Sequence, residues 1–217
     1  GSCAFRPGLT KDVDAPTHFP NEIVTYTFEV ANPTDNPLNA VDFIDTLTYD
    51  ATWIANSLEV DSACNGNFVG AAGVLGGTLS ISNNDQTLRI DNMTLPAISK
   101  TCFSIQAQIS IDAEAGDVEN QATLSGIPAV YGSSVDSDYP PSIALNDPTP
   151  HEILPGVTVG DRVFEDQDGD GNFEAGDFGL DGITVTLLDS NNNIVDTTVT
   201  SNGGAYQFTE VRPGSYT

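Results

Sequence analysis

Residues 22–30, which read EIVTYTFEV, carry the pattern that decides the fold of the N-terminal part of the chain. The apolar residues Val24, Tyr26 and Phe28 alternate with polar ones, so they would share one face of a β-strand. Strands with one apolar and one polar face are typical of antiparallel sheets that cover a core on one side. The stretch therefore predicts a half-buried strand.

Further segments show similar alternation, and residues that favour turns lie between them. These segments are residues 9–13, 41–47, 53–60, 78–82, 87–91, 101–111 and 118–124. Many short strands separated by turns are typical of a β-sandwich. Because the 217 residues show no convincing helical periodicity, we expect an all-β fold with either two modest domains or one large one.

The charge of the chain is strongly negative, with 31 acidic residues against 6 basic ones and a formal net charge of -25. Such a charge disfavours nucleic acid and anionic membrane surfaces as partners and favours divalent cations. No segment approaches the roughly 18 to 20 apolar residues of a membrane-spanning helix. We therefore expect neither nucleic-acid binding nor membrane insertion in this segment.

Residues that would indicate an enzyme are not recognisable. His18 and His151 lie beside prolines in predicted loops, and no serine, histidine and acid constellation or phosphate-binding glycine loop is apparent. Both histidines are predicted to be ordinary surface residues, and the chain is predicted not to be an enzyme.

Three polar residues, Lys11, Asp45 and Asn120, fall on the apolar faces of their predicted strands. A buried lysine must lose its charge or find a partner, because an unpaired ammonium is costly to bury. A neutral Lys11 amine is a nucleophile, and a protonated Asp45 would polarise the side-chain carbonyl of Asn120. Attack with loss of ammonia would leave an amide crosslink between the first and last strands. The three residues are therefore candidates for an autocatalytic isopeptide bond.

The same three residues also have simpler explanations. Lys11 and Asp45 could form a buried ion pair, with Asn120 only hydrogen-bonded. Alternatively, a strand register shifted by one residue would place all three side chains outside.

Residues 166–177, DQDGDGNFEAGD, hold five carboxylates in twelve positions. Oxygen ligands at positions one, three and five, a glycine at six, a backbone carbonyl at seven and a carboxylate at twelve are the pattern of a calcium-binding loop. The candidate ligands are Asp166, Asp168, Asp170, Asn172, Glu174 and Asp177, with Gly171 at the turn. The flanking segments alternate with the period of strands, so this loop would join strands, not helices. The alternative is an ordinary solvated acidic loop without an ion.

Cys3, Cys64 and Cys102 fit no metal-binding spacing. We expect a disulfide between Cys64, in a predicted loop, and Cys102, near the start of a long strand, which would indicate an oxidising compartment. Cys3 would then be unpaired or bonded to a group elsewhere. The alternative is three reduced thiols.

Several segments of the N-terminal part resemble a known domain family. Residues 9–13 (LTKDV), 25–32 (TYTFEVAN), 43–47 (FIDTL) and 119–123 (ENQAT) are similar to the conserved-repeat domain of bacterial surface proteins. The resemblance covers roughly residues 5–135. It implies an immunoglobulin-like sandwich in a secreted or wall-attached protein, and some members of the family carry lysine–asparagine isopeptide bonds.

The C-terminal part resembles a second family. Residues 160–166, the acidic loop, and residues 179–187, 204–208 and 212–216 are similar to the calcium-binding B-repeat of serine-aspartate repeat adhesins. This resemblance implies a prealbumin-like sandwich that acts as a calcium-stiffened stalk. Further closing strands would be expected beyond Thr217, so we expect the second sandwich to be incomplete.

Together these observations predict an immunoglobulin-like sandwich at residues 1–138, a proline-rich linker at 139–156 and a calcium-binding sandwich at 157–217. The expected function is a structural stalk of an extracellular bacterial adhesin, with Ca²⁺ as its ion and neighbouring domains of the same protein as partners. The alternative is an adhesion module that binds a carbohydrate, protein or surface ligand through residues 65–77, with Trp53 and Phe68 as candidate contacts.

Overall fold

A computed structural model describes residues 6–217, which form strands joined by turns together with two short 3-10 helices, Ala55–Ser57 and Ala129–Tyr131. The predicted all-β fold is confirmed. The chain divides into two units, the first running to Leu154 and the second spanning Pro155–Thr217.

The described part of the first unit, residues 6–154, contains three sheets. Its strands are β1 Gly8–Val13, β2 Thr17–His18, β3 Ile23–Asn32, β4 Leu38–Thr46, β5 Ala51–Trp53, β6 Glu59–Asp61, β7 Val69–Gly70, β8 Thr78–Ser82, β9 Thr87–Leu95, β10 Ser99–Ile109, β11 Gly116–Asn120, β12 Ala122–Ser125, β13 Ser134–Asp136 and β14 Thr149–Ile153. One sheet has the order β1-β3-β10-β6-β7, with β5 also paired to β10, and another has the order β13-β12-β4-β9-β8. The small third sheet has the order β11-β14-β2.

Three phenylalanine rings show how the two larger sheets of the first unit pack. Phe28 on β3 stacks on Phe103 on β10 with their ring centroids 4.8 Å apart. Phe43, on β4 of the opposite sheet, meets both rings edge-on at 5.0 and 5.2 Å. Because these side chains are fully buried and come from both sheets, the core lies between the sheets, as in a β-sandwich.

Several predictions about the first unit were wrong in detail. Residues 53–60 do not form one strand, because the 3-10 helix Ala55–Ser57 separates β5 from β6. The hydroxyl of Ser57 donates to the carbonyl of Ile54 at 2.6 Å, and this local bond competes with a continuous strand ladder.

The second correction concerns residues 139–156, which were predicted to be a linker. Thr149–Ile153 is instead a strand that pairs antiparallel with β11 and, at its end, parallel with β2. Thr149, His151 and Ile153 are buried, so the segment belongs to the first unit. The prolines of this stretch obscured a short alternating pattern that was present in the sequence.

The second unit is made of paired strands around a small core. The strands are β15 Val157–Arg162, β16 Phe164–Glu165, β17 Phe178–Gly179, β18 Thr184–Leu188, β19 Ile194–Val199 and β20 Ala205–Val211. They pair as β15 with β20, β16 with β17, and β18 with β19, all antiparallel. Leu187, Phe208 and Val211 form the buried core, and Tyr206 packs against it.

The predicted disulfide between Cys64 and Cys102 is present and confirms that pairing. It joins the loop after β6 to β10, with the two Cα atoms 5.1 Å apart. The same loop is held by Asp61, whose carboxylate accepts bonds from four backbone N–H groups that include those of Asn65 and Gly66. Cys3 lies outside the described residues.

Replacing Cys64 and Cys102 together by serine should lower the free energy of unfolding of the first unit by about 4 kcal/mol. The disulfide spans a sequence separation of 38 residues, and opening a loop of this size increases the conformational entropy of the unfolded chain by about this amount. Urea unfolding followed by the fluorescence of Trp53, the only tryptophan of the chain, measures the change in the first unit alone. Cys3→Ser is the control and should leave the urea midpoint unchanged. An unchanged midpoint in the double variant would contradict the prediction.

Candidate functional site

Lys11 lies on β1 and points into the core of the first unit. Its register partner on β3 is Phe28, and its side chain has no exposed surface. The Nζ atom lies 4.2 Å from the ring centroid of Tyr26 and 5.5 Å from that of Phe28. The aromatic surroundings exclude water from this amine.

Asp45 on β4 is the charge partner of Lys11. Lys11 Nζ donates to Asp45 Oδ2 at 2.6 Å, and neither side chain is exposed. Burial lowers the pKa of Lys11 from 10.5 to about 8, although the charge and hydrogen bond of Asp45 act in the opposite direction. Within residues 6–217, the other carboxylate oxygen of Asp45 has no hydrogen-bond partner.

Asn120 ends β11 and is also fully buried. Its register partner is Thr149 on β14, and the hydroxyl of Thr149 donates to the backbone carbonyl of Lys11 at 2.9 Å, which ties β14, the partner of β11, to β1. Neither the oxygen nor the nitrogen of the Asn120 side chain makes a hydrogen bond to the described part of the chain. A buried amide with both atoms unpaired is rare in native proteins and usually has a functional reason.

The burial of Lys11, Asp45 and Asn120 removes one of the simpler explanations. A register shifted by one residue, which would have placed the three side chains outside, is wrong. The other explanation predicted an ion pair between Lys11 and Asp45, and this ion pair is present. The hydrogen bond that this explanation assigned to the Asn120 side chain is not made to any residue between 6 and 217.

Tyr26 connects this group to a second buried cluster. Its hydroxyl lies 2.9 Å from Nε2 of His151 and 3.2 Å from the hydroxyl of Tyr49. Burial raises the pKa of Tyr26 well above its usual value, Tyr49 adds to the rise, and the nearby Asn120 amide partly offsets it. His151 pairs with Val118 on β11, two residues from Asn120, so the Tyr26 hydroxyl lies beside the end of β11 that carries Asn120.

The histidines were wrongly predicted to be surface residues. His18 and His151 are each 4% exposed, and their rings meet edge-on with centroids 5.1 Å apart. His18 Nε2 also pairs with Asp14 Oδ1 at 3.0 Å. Burial, together with the nearby His18 and Lys11, lowers the pKa of His151 to about 4. The imidazole of His151 is therefore neutral at physiological pH.

The acidic loop of the second unit lies between β16 and β17, which pair through Phe164–Gly179 and Glu165–Phe178. The prediction that the loop joins strands is confirmed. Gly171, at position six, has a φ of 83°, a conformation that favours glycine. Gly171 therefore provides the sharp turn that the ligand spacing predicted at position six.

Three of the predicted ligands come together in this loop. Carboxylate oxygens of Asp166, Asp168 and Asp170 all lie within 4.8 Å of one another. The backbone N–H groups of Gly171 and Gly169 donate to Asp166 and, by favouring its charged form, lower its pKa. Several hard oxygen donors converging in this way fit a calcium ion.

The remaining predicted ligands hold the loop in shape or lie apart. Asp177 accepts bonds from the backbone N–H groups of Gln167 and Glu174, at 3.0 and 2.9 Å, and so closes the loop. Asn172 donates its side-chain amide to Asp170 at 3.1 Å. Glu174 and Asp177 lie outside the converging group of three carboxylates.

Phe173 anchors the loop to the strands. Its ring lies 5.3 Å from that of Phe164 on β16, and the Arg162 guanidinium lies 4.3 Å from its centroid. These contacts fix the middle of the loop, which the ligand spacing alone did not predict.

Within residues 6–217, no helix has the length and hydrophobicity needed to cross a membrane.

Comparison with solved structures concerns the fold of the chain. The crystal structure of BcpA, the major pilin subunit of Bacillus cereus, is similar with a TM-score of 0.55 at 14% sequence identity. The similarity covers 97% of this chain and 57% of the pilin. At this identity, the likeness shows a shared fold.

Comparison of sequences concerns the second unit. The chain is 43% identical over 62 residues to serine-aspartate repeat-containing protein F of Staphylococcus epidermidis and 39% identical over 62 residues to serine-aspartate repeat-containing protein D of Staphylococcus aureus strain Newman. These regions are 29% of this chain and 4% and 5% of the two relatives, so the chain spans a small part of the proteins that it matches. A family model described as the SdrD B-like domain matches residues 157–217, and the second unit accordingly resembles the B-repeat domain of serine-aspartate repeat proteins.

Proposed function

We propose that this chain is a structural stalk segment of an extracellular bacterial surface protein. In this proposal an isopeptide bond between Lys11 and Asn120 locks the first unit, and Ca²⁺ stiffens the second. The observation that carries the proposal is the fully buried group of Lys11, Asp45 and Asn120, in which the asparagine amide lacks hydrogen bonds within the described chain. The resemblance of the second unit to B-repeat domains supports the same conclusion.

The buried group has the chemistry that the crosslink requires. Transfer of one proton along the 2.6 Å hydrogen bond makes Lys11 a neutral amine and Asp45 a carboxylic acid, with no change in net charge. The acid can then donate to Oδ1 of Asn120 and polarise its carbonyl. Attack by Nζ forms a bond to Cγ of Asn120, the bond from Cγ to Nδ2 breaks, and one proton from Nζ leaves with Nδ2 as ammonia.

The acidic loop would hold the calcium ion through Asp166, Asp168 and Asp170, which already converge. A bound Ca²⁺ would neutralise the repulsion among these like charges and fix the loop. Strand β16 and strand β17 would then be clamped at their shared end. A clamp of this kind suits a mechanical element, because it stiffens a hairpin without moving it.

The alternative function, ligand binding through exposed aromatic residues, has less support. Trp53 is 4% exposed, donates its indole N–H to the carbonyl of Gln86 at 3.0 Å and packs against Tyr26. It is therefore a core residue and is not available to a ligand. Phe68 is the remaining candidate of the two that the sequence suggested.

The crosslink predicts that the purified protein is lighter than its calculated mass by one ammonia, after the disulfide has been reduced. Intact-mass spectrometry measures this difference, and fragmentation should yield a branched peptide that joins Lys11 to Asn120. Asn120→Ala is the control and should have its full calculated mass. A full mass for the unsubstituted chain would refute the crosslink.

A further inference from the structure

The buried hydroxyl of Tyr26 has no role in the chemistry described so far. Tyr26 has no exposed surface, and its ring faces Lys11 Nζ at 4.2 Å. Its hydroxyl is held by His151 and Tyr49 at 2.9 and 3.2 Å, and since His151 pairs with Val118, it lies beside the end of β11 that carries Asn120. One side chain thus contacts the nucleophile and a buried polar chain, and it lies beside the strand end that carries the amide under attack.

Crosslinking needs a group that moves a proton between two nitrogen atoms. When Nζ of Lys11 has attacked Cγ of Asn120, Nζ carries one proton too many and Nδ2 lacks the proton with which it can leave as ammonia. Asp45 is bonded to Lys11 and is needed at Oδ1, where negative charge develops. A second proton carrier would leave Asp45 at Oδ1 throughout the step, and the Tyr26 hydroxyl is a buried proton-bearing group beside the end of β11 that carries Asn120.

We propose that the hydroxyl of Tyr26 is the proton shuttle of the crosslinking step and that His151 is the residue that positions it. This inference rests on the proposed isopeptide bond. The Tyr26 hydroxyl gives its proton to Nδ2 as the bond from Cγ to Nδ2 breaks, and it recovers a proton from Nζ, which is bonded to the same carbon. Ammonia leaves, the new amide is neutral, and Tyr26 ends as it began.

His151 suits the positioning role because it is neutral and immobile. Its ring is buried between Tyr26, Tyr49 and His18, with ring centroids 5.1 to 6.1 Å apart. In the tautomer with its proton on Nε2, the neutral imidazole donates to the Tyr26 oxygen both when that oxygen carries its proton and when it does not, so it tolerates both states of the shuttle. Burial and the nearby His18 and Lys11, which lower the pKa of His151, keep it in that form.

Tyr26→Phe tests the proposal because it keeps the ring and removes only the hydroxyl. The full chain is synthesised in a cell-free system, synthesis is stopped, and samples are quenched in denaturant over time. The fraction lighter by one ammonia gives the crosslinking rate. We expect the rate of Tyr26→Phe to fall at least about 10-fold, since a positioned proton carrier typically contributes 10²–10⁴-fold. Tyr131→Phe, a tyrosine at the edge of the same core, is the matched control and should react at the unsubstituted rate.

Two variants of His151 test the positioning role and do not depend on the folding of Tyr26→Phe. His151→Leu should slow crosslinking, and His151→Gln, which restores a polar group near the Tyr26 hydroxyl, should recover part of the rate. Equal rates in His151→Leu and His151→Gln would overturn the positioning role, because a loss of packing alone would affect both.

The outcomes separate this inference from the proposed function. An unsubstituted chain that keeps its full mass overturns the crosslink and the shuttle together. An unsubstituted chain that loses ammonia at the same rate as Tyr26→Phe overturns the shuttle alone. Trp53 fluorescence shows whether Tyr26→Phe folds. If it does not fold, the test rests on His151→Leu, and a crosslinking rate equal to that of the unsubstituted chain overturns the proposal.

Discussion

Asp45→Asn should abolish the crosslink and lower the free energy of unfolding of the first unit by at least about 3 kcal/mol. The substitution keeps the shape of the side chain but removes the carboxylate that pairs with Lys11 at 2.6 Å. It leaves the Lys11 ammonium without a charge partner in a site that has no exposed surface, and breaking a buried pair in this way typically costs about 3–5 kcal/mol. Urea unfolding followed by Trp53 fluorescence gives the stability, and intact mass gives the crosslink. Asp117→Asn, at an exposed position on β11, is the matched control and should change neither measurement.

A double variant distinguishes a crosslink from a plain ion pair. Replacing a buried pair by apolar residues, as in Lys11→Met with Asp45→Leu, is often neutral or stabilising when the pair makes only noncovalent contacts. A Lys11–Asn120 bond, however, closes a loop of roughly 110 residues, and losing a covalent closure of that size costs about 4–5 kcal/mol by chain entropy. We therefore expect the double variant to be several kcal/mol less stable than the unsubstituted chain. Equal or higher stability would contradict the crosslink.

Strand alternation made the inward faces of the first unit predictable. Lys11, Asp45 and Asn120 could each be placed inside from local sequence, because side chains alternate with a period of two along a strand. Whether the three residues come together depends on the strand registers. Long-range packing sets those registers, for example through the contact of Thr149 with Lys11. Local alternation gives the face on which a residue lies, but it does not give which residues of distant strands lie opposite one another.

The buried contacts between Tyr26 and His151 could not be predicted from local sequence patterns. His151 lies 125 positions from Tyr26 along the chain, in a segment whose prolines favoured a linker. Pro150 is nevertheless accommodated in β14, opposite Glu119 of β11. The burial of His151 thus results from sheet assembly, which proline content does not reveal.

The acidic loop was more predictable, because ligand spacing is a local property. The spacing predicted the convergence of Asp166, Asp168 and Asp170 and the turn at Gly171. It did not predict that Asp177 would bind the backbone N–H groups of Gln167 and Glu174. Those bonds depend on the way in which β16 and β17 bring the two ends of the loop together.

Calcium should stabilise the second unit, and Asp166→Ala combined with Asp170→Ala should remove this effect. Extracellular calcium modules have dissociation constants of roughly 0.1 to 1 mM, so 10 mM Ca²⁺ would add about 1.4 to 2.7 kcal/mol. Scanning calorimetry with Ca²⁺ or with a chelator should show the transition of the second unit moving and that of the first unit staying in place. In the chelator, the double variant should be at least as stable as the unsubstituted chain, because it lacks two mutually repelling carboxylates.

Asp161→Ala combined with Asp196→Ala is the control. It removes the same charge from β15 and β19 and should leave the calcium response intact. A calcium response that survives in the Asp166 and Asp170 double variant would place the ion elsewhere.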